Sequence, residues 1–148
     1  MSDNTPITSF KGPWAALSNF ALCSVWYDGH TYNSVEHACQ AAKFLDEEKR
    51  RGIRHLPTPN QAKKAGKGLG IRADWNKVKV SVMRELLQAK FCQEPFRSIL
   101  LSTGDRELIE GNWWGDRFWG QCPVGTGENW LGRLLMEQRD KLREINND

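Results

Sequence analysis

The stretch SVEHACQAAKF, residues 34–44, decides how the first half of the chain folds. Ser34 is a typical helix N-cap, because its hydroxyl group can accept a hydrogen bond from a backbone amide of the first turn. The alanines that follow have the highest helix propensity of any residue. The sequence therefore predicts a helix that begins after Ser34 and runs to about Leu45 or beyond.

Glu36, Gln40 and Lys43 form a polar stripe on this predicted helix, since residues three, four or seven positions apart share a face. Such a stripe usually faces solvent, where Glu36 and Lys43 would make an ordinary interaction on the helix surface. The alternative is a stripe that faces a cavity. Poor solvation there would let the carboxyl group keep a proton and the amine stay neutral, as an acid and a nucleophile require. The spacing leaves both readings open.

The residues before this helix predict a small β-hairpin. In CSVWYDGHTYN, β-branched and aromatic residues flank Asp28-Gly29, a dipeptide that favours a tight turn, so we expect short strands near 23–27 and 30–33. ITSF at 7–10 and RELIEGN at 106–112 are candidates for two further short strands.

The residues after it predict mostly helices. DEEKRRG is interpreted as a solvated helix end, which Gly52 closes or a second short helix follows. Thr58-Pro59 and Asp74 mark two further helix starts, and Pro95 ends the second of these helices and starts another. The C-terminal stretch is amphipathic, with four leucines on its inner side: Leu131, Leu134, Leu135 and Leu142. We predict a mainly α fold with a few short β-strands (α+β) and a small hairpin, as one compact domain over residues 1–148 with its core at about 7–143.

Composition narrows the class of protein. A chain of 148 residues suggests one domain, and no apolar run is long enough to cross a bilayer, so we expect a cytoplasmic protein. The net charge of +3 is mild and fits a phosphate-bearing ligand. The four cysteines form no CxxC pair, and the histidines lack the spacing of a zinc site, so we expect neither a metal nor another cofactor.

Two glycine-rich segments near the C-terminus have a common and a functional reading. In WWGDRFWG, 113–120, Asp116 either bonds to local backbone amides in a turn or is presented to the hydroxyl groups of a ribose. In GTGENWLG, 125–132, the backbone amides at a helix start could bind a phosphate, although an ordinary loop-to-helix junction is the more frequent use of such residues.

Five segments in this order resemble the NADAR superfamily, a YbiA-like group associated with NAD and ADP-ribose metabolism. The resemblance covers roughly residues 9–143. The segments are GPWAALSNF, YNSVEHACQAAKF, DWNKVKVSVMRELLQAKF, WWGDRFWG and GENWLGRLLMEQR.

The resemblance implies an N-glycosidase, an enzyme that hydrolyses the bond between C1 of a ribose and a nitrogen atom. It implies two substrate classes: ADP-ribosylated guanine, in nucleic acid or as a nucleotide, and phosphoribosylamino-pyrimidine intermediates of riboflavin biosynthesis. Some members act as antitoxins, so an ADP-ribosyltransferase toxin is an implied partner. A non-catalytic module that binds ADP-ribose or NAD is the alternative from another class.

The resemblance also assigns residues. It places Glu36 of SVEH and Lys43 of AAKF in the catalytic centre with Asp116 of WGD; Lys43 would either attack C1 and form a Schiff base or pair with Glu36. Substrate-binding positions are expected at Asn19, Phe20, Trp75, Trp114, Gly115, Trp119, Asn129 and Gly132. RFWGQCPVGTGE replaces the glycine-rich, basic stretch that some members have between WGD and the last motif, which bears on the leaving group that the enzyme accepts.

Overall fold

The computed structural model describes residues 3–112, 115–122 and 125–147. The chain forms two compact units, residues 1–18 with 91–148, and residues 19–90. The expected single domain with a core at about 7–143 stays a prediction. The mainly α fold class with a small hairpin is confirmed. Among the helices of the described ranges, none has the length and apolar character that crossing a membrane requires.

The unit of residues 19–90 contains the hairpin and four helices. Strands β1 (Val25–Tyr27) and β2 (His30–Tyr32) are antiparallel, with Trp26 opposite Thr31, and Asp28 and Gly29 supply the positive φ angles that the tight turn requires. The helices are α1 (Val35–Ala42), α2 (Glu47–Arg54), α3 (Pro59–Ala65) and α4 (Trp75–Phe91), of which α4 ends on the first residue of the other unit.

Local capping sets most of these helix boundaries. The Ser34 hydroxyl group accepts a hydrogen bond from the His37 amide, as predicted, and Thr58 forms a capping box with Gln61. Helix α1 is shorter than predicted and ends at Ala42, since the chain turns so that the Asp46 side chain can cap α2. Gly52 lies inside α2, so the reading in which it closes a helix is wrong and the second short helix is confirmed.

The other unit contains a 3-10 helix (Gly12–Leu17) and helices α5 (Phe96–Ser102) and α6 (Trp130–Asn147). The four leucines predicted for the inner side of α6 are all buried. The strands predicted at 7–10 and 106–112 are not formed. Isolated β-bridges join Ile7 to Leu108 and Gly111 to Gln121 instead, so these segments pair at single residues rather than along a ladder.

Lys90, near the end of α4, is fully buried. Burial lowers the pKa of its amine to about 8, and the nearby Cys23 thiol opposes that shift. Burial also raises the pKa of Cys23, so both groups favour their neutral forms in the folded protein.

We expect Lys90 to make stability rise with pH between about pH 8 and pH 10.5. In that window the unfolded chain binds a proton that the folded chain does not, so the free energy of unfolding increases as pH rises. Relative to Lys90→Met, the wild type should gain up to about 3 kcal/mol across the window. Urea unfolding of both proteins, each carrying Cys23→Ser, at several pH values measures the difference. The thiol that interacts with Lys90 is then absent, and the remaining titrating groups cancel. A difference that does not vary with pH would contradict this expectation.

Candidate active site

Glu36 lies in the first turn of α1 and is buried, with 8% of its surface exposed. Its backbone amide donates to the Asn19 carbonyl group at 3.1 Å, which connects the start of the helix to the segment Ser18-Asn19-Phe20. Its Oε1 atom accepts a hydrogen bond of 2.7 Å from Nε2 of Gln40, also 8% exposed. The solvent-facing reading of the stripe is therefore wrong, because the whole of α1 is buried.

Lys43 caps the C-terminal end of α1 and is half-buried. Its Nζ atom donates to the carbonyl oxygen of Gly66 over 3.4 Å, and its own carbonyl group accepts from the Arg72 amide at 2.7 Å. Lys43 therefore has a fixed backbone and a weakly held amine. Lys43 and Glu36 both lie electrostatically close to the buried Cys39, where burial, and to a smaller degree Glu36, raises the pKa of the thiol to about 12.

His37 has a structural role beside Glu36. Its Nδ1 atom lies 2.7 Å from the Ser34 hydroxyl group, and its Nε2 atom lies 3.0 Å from the Leu56 carbonyl oxygen. A carbonyl oxygen only accepts, so Nε2 carries a hydrogen atom and donates to Leu56. Because Glu36 and His37 are consecutive in the chain, a structural histidine lies next to the candidate catalytic carboxylate.

Three other predicted binding residues lie in the same unit. Asn19 is buried, and its Oδ1 atom accepts no hydrogen bond from the part of the chain that the structure describes. Phe20 is 39% exposed, and the Lys63 amine lies 5.9 Å from the centre of its ring. Trp75 is half-buried at the first position of α4. Their assignment to substrate binding stays a prediction.

Asp116 lies in the other unit and holds its own loop together. Its Oδ1 atom accepts hydrogen bonds from the amides of Phe118 and Trp119, at 3.0 and 2.9 Å. The buried Asn112 side chain bonds to both the amide and the carbonyl group of Asp116. The common reading of Asp116 as a turn residue is thus confirmed. Within the described ranges Oδ2 accepts no hydrogen bond, so a second role for the carboxylate is compatible with this one.

Asn129 and Gly132 pack against the segment that precedes this loop. The Asn129 side chain accepts from the Glu110 amide at 3.0 Å and donates to the Leu108 carbonyl group at 2.9 Å. At Gly132 a Cβ atom would lie 2.0 Å from that carbonyl oxygen, so no larger residue fits. Both residues thus serve the fold, and the ligand contacts expected of them stay predictions.

The start of α6 is an ordinary junction rather than a phosphate site. The amides of residues 128–131 donate to carbonyl groups of residues 117–120, at 2.7 to 3.3 Å. Such amides cannot also bind an anion. Of the remaining predicted residues, Gly115 has a φ of 82°, and Trp119 is half-buried with its ring 4.7 Å from that of Phe118. Trp114 lies outside the described residues.

The unit of residues 1–18 and 91–148 also holds a cavity of about 470 Å³. Thr8, Lys11, Asn112 and Gln121 are among the residues that line it. Across the described part of the chain, no three His, Cys, Asp or Glu side chains are grouped so that they could hold a metal ion.

Gln40 and Gly66 contact the two candidate catalytic side chains, yet the sequence-based site lacks both. Gln40 carried a signal, since it lies on the same helical stripe as Glu36. The sequence gives no sign that Gly66 belongs to the site, because its contacts with Gln40 and Lys43 are tertiary; it indicates only that Gly66 lies at the end of α3.

The comparisons with known proteins agree with the predicted resemblance. The NADAR domain family model matches residues 8–143. The N-glycosidase YbiA of Escherichia coli (strain K12) is 42% identical over 137 residues, which cover 90% of this chain and 85% of YbiA. A riboflavin biosynthesis protein of Vibrio vulnificus (strain YJ016) is 38% identical over 131 residues, 86% of this chain but 35% of that protein.

A solved structure extends this similarity to the fold. The NMR structure of the E. coli protein YbiA superposes with a TM-score of 0.88 at 37% sequence identity, and the match covers 100% of this chain and 90% of that one. The helices and the hairpin described above are thus those of a family member, and the chain belongs to the NADAR domain family.

Proposed function

We propose that this protein is an N-glycosidase that hydrolyses the bond between C1 of a ribose and a nitrogen atom, with ADP-ribosylated guanine as its substrate. The observation that carries the proposal is the burial of the Glu36 carboxylate on α1, seven residues before a half-buried lysine. A buried carboxylate and an amine on one helix are the groups that this reaction needs. The name of the relative YbiA states the same reaction class.

The reaction develops positive charge at C1 and negative charge on the departing nitrogen atom, and carboxyl groups commonly stabilise the first and protonate the second. In the proposed sequence the Lys43 amine attacks C1, and the electron pair of the C1–N bond leaves with the base. Glu36 accepts the proton that the nucleophile releases and delivers it to the leaving nitrogen atom. Ring opening gives an imine between Lys43 and C1, which water hydrolyses. In the alternative sequence Lys43 orients Glu36, and water attacks directly.

Charge supports ADP-ribosylated guanine as the substrate. Residues 19–90 contain thirteen Lys and Arg against seven Asp and Glu, a net charge of +6, whereas the whole chain carries +3. Seven of these basic residues lie in residues 63–84, whose one acidic residue, Asp74, pairs with Arg72 at 2.6 Å. A concentration of positive charge attracts polyanions such as a diphosphate or a nucleic acid backbone.

A phosphoribosylamino-pyrimidine intermediate of riboflavin biosynthesis is the second candidate substrate. The observation that favours it is the name of the relative from Vibrio vulnificus, a riboflavin biosynthesis protein. The proposed reaction at C1 is the same for both candidates, and the base that leaves is what differs.

Product analysis with both substrates tests the proposal. We expect the wild type to release ADP-ribose from an oligonucleotide that carries ADP-ribosylated guanine, as measured by chromatography. Glu36→Gln should be slower by about two to four orders of magnitude, because the amide cannot relay the proton. If the enzyme releases ribose 5-phosphate from the pyrimidine substrate and leaves the oligonucleotide intact, the pyrimidine compound is the substrate instead. Binding without any product would make the protein a binding module.

Borohydride reduction during turnover tests the nucleophile. We expect a reduced sugar adduct on Lys43, because borohydride converts the imine into a stable secondary amine that mass spectrometry locates. Lys64→Ala, which removes an exposed lysine of α3, is the control and should still be trapped. A Lys43→Ala enzyme that turns over normally would exclude the nucleophilic role and leave water as the attacking group.

Two substitutions separate the structural role of Asp116 from the proposed contact with the ribose hydroxyl groups. Asp116→Asn keeps an acceptor for the two loop amides, whereas Asp116→Ala removes it and should lower stability by about 1–3 kcal/mol. We expect Asp116→Asn to melt near the wild type but to lose about tenfold or more in kcat/KM, since hydrogen bonds to a charged acceptor are stronger. An unchanged kcat/KM in Asp116→Asn would show that the residue serves the loop alone.

A further inference from the structure

The side-chain amide of Gln40 has one orientation that the site allows. Nε2 donates to Glu36 Oε1 at 2.7 Å, and a flipped amide would place two oxygen atoms against each other. The Oε1 atom of Gln40 is buried and accepts no hydrogen bond from any described residue. An unsatisfied buried acceptor costs free energy, so the orientation is held at the expense of stability.

Gly66 lies against this amide on the opposite side from Glu36. A Cβ atom at residue 66 would lie 1.7 Å from Oε1 and 2.6 Å from Cδ of Gln40. The backbone of Gly66 has a φ of −76°, which every residue can adopt, so the missing side chain rather than the backbone angle is what the site uses. The Gly66 carbonyl oxygen also accepts from Lys43 Nζ, so one glycine contacts two of the three residues of the polar stripe.

We propose that Gln40 is a positioning residue for the Glu36 carboxylate and that Gly66 makes room for the Gln40 amide in that role. This inference rests on the proposed glycosidase function. A neutral amide donor holds Oε1 in place and restricts rotation of the carboxyl group without adding a charge that would repel the cationic transition state.

Gly66→Ala separates positioning from folding. The atoms that its methyl group would meet belong mainly to the far end of the flexible Gln40 side chain, which can move away at small cost. That movement takes Nε2 away from Glu36. We expect Gly66→Ala to melt somewhat below the wild type, because Glu36 loses a buried hydrogen bond, yet to stay folded under assay conditions. It should lose about 10- to 100-fold in kcat, with KM changed by less than about threefold, as a misplaced catalytic group would.

The matched control is Gly52→Ala, inside α2 of the same unit, where a Cβ atom would meet nothing within 4 Å. It should keep the wild-type kcat. Gln40→Leu should lower kcat as Gly66→Ala does. In a Gln40→Ala background Gly66→Ala should cause no further loss, because no amide remains to displace. Additive losses, or a wild-type kcat in Gln40→Leu, would overturn the proposal.

A spectroscopic measurement keeps the inference testable apart from the function. The ¹³C resonance of the Glu36 carboxyl group should shift in Gln40→Leu and in Gly66→Ala, but not in Gly52→Ala. If the wild type cleaves neither substrate, the proposed function fails while this measurement still reports the contact. An unshifted resonance in both variants overturns the positioning role even in an active enzyme.

Discussion

The complete burial of α1 is the constraint on which the candidate site depends. A buried polar group without a partner costs about 1–3 kcal/mol, so the polar side chains of this helix need bonds inside the protein. They form two separate pairs. Ser34 and His37 fix the start of the helix, and Gln40, one turn further on, holds the carboxylate of Glu36. One short helix therefore carries both the residue that fixes its start, His37, and the candidate catalytic carboxylate of Glu36.

The hydrogen bonds described above for the two candidate catalytic side chains are with neutral groups. Glu36 accepts from an amide, and Lys43 donates to a backbone carbonyl group over a long distance. A neutral partner orients a charged group and leaves its charge in place, whereas a close arginine or aspartate would compensate that charge. Such an arrangement suits groups that must exchange a proton during a reaction.

Local signals in the sequence predicted most of the elements. Caps at Ser34 and Thr58 and the Asp28-Gly29 turn act within a few residues, so propensity alone identifies them. The segments at 7–10 and 106–112 were predicted as strands because a pattern of apolar residues cannot show whether a ladder of partners exists. Gly52 looked like a helix end for a similar reason, since glycine at an exposed position inside a helix is disfavoured but tolerated.

The site was predictable only in part. The stripe of Glu36, Gln40 and Lys43 follows from helix periodicity, but which way it faces is a tertiary property. The contact of Gly66 with Gln40 joins residues on different helices, and no spacing rule covers it. At Asp116 the sequence offers two alternative roles, whereas the structure allows both. Oδ1 accepts from two loop amides, and Oδ2 accepts no hydrogen bond from a described residue.

Among the residues that the structure describes, the loop that Asp116 closes is held mainly through its backbone. The amides of residues 128–131 donate to carbonyl groups of residues 117–120, and the side chains of Asn112, Asp116 and Asn129 add further hydrogen bonds to main-chain groups. Other side chains of the loop, such as Arg117 and Gln121, lie on a framework whose geometry does not depend on them. Substitutions at these two positions should therefore leave the backbone path of the loop as it is.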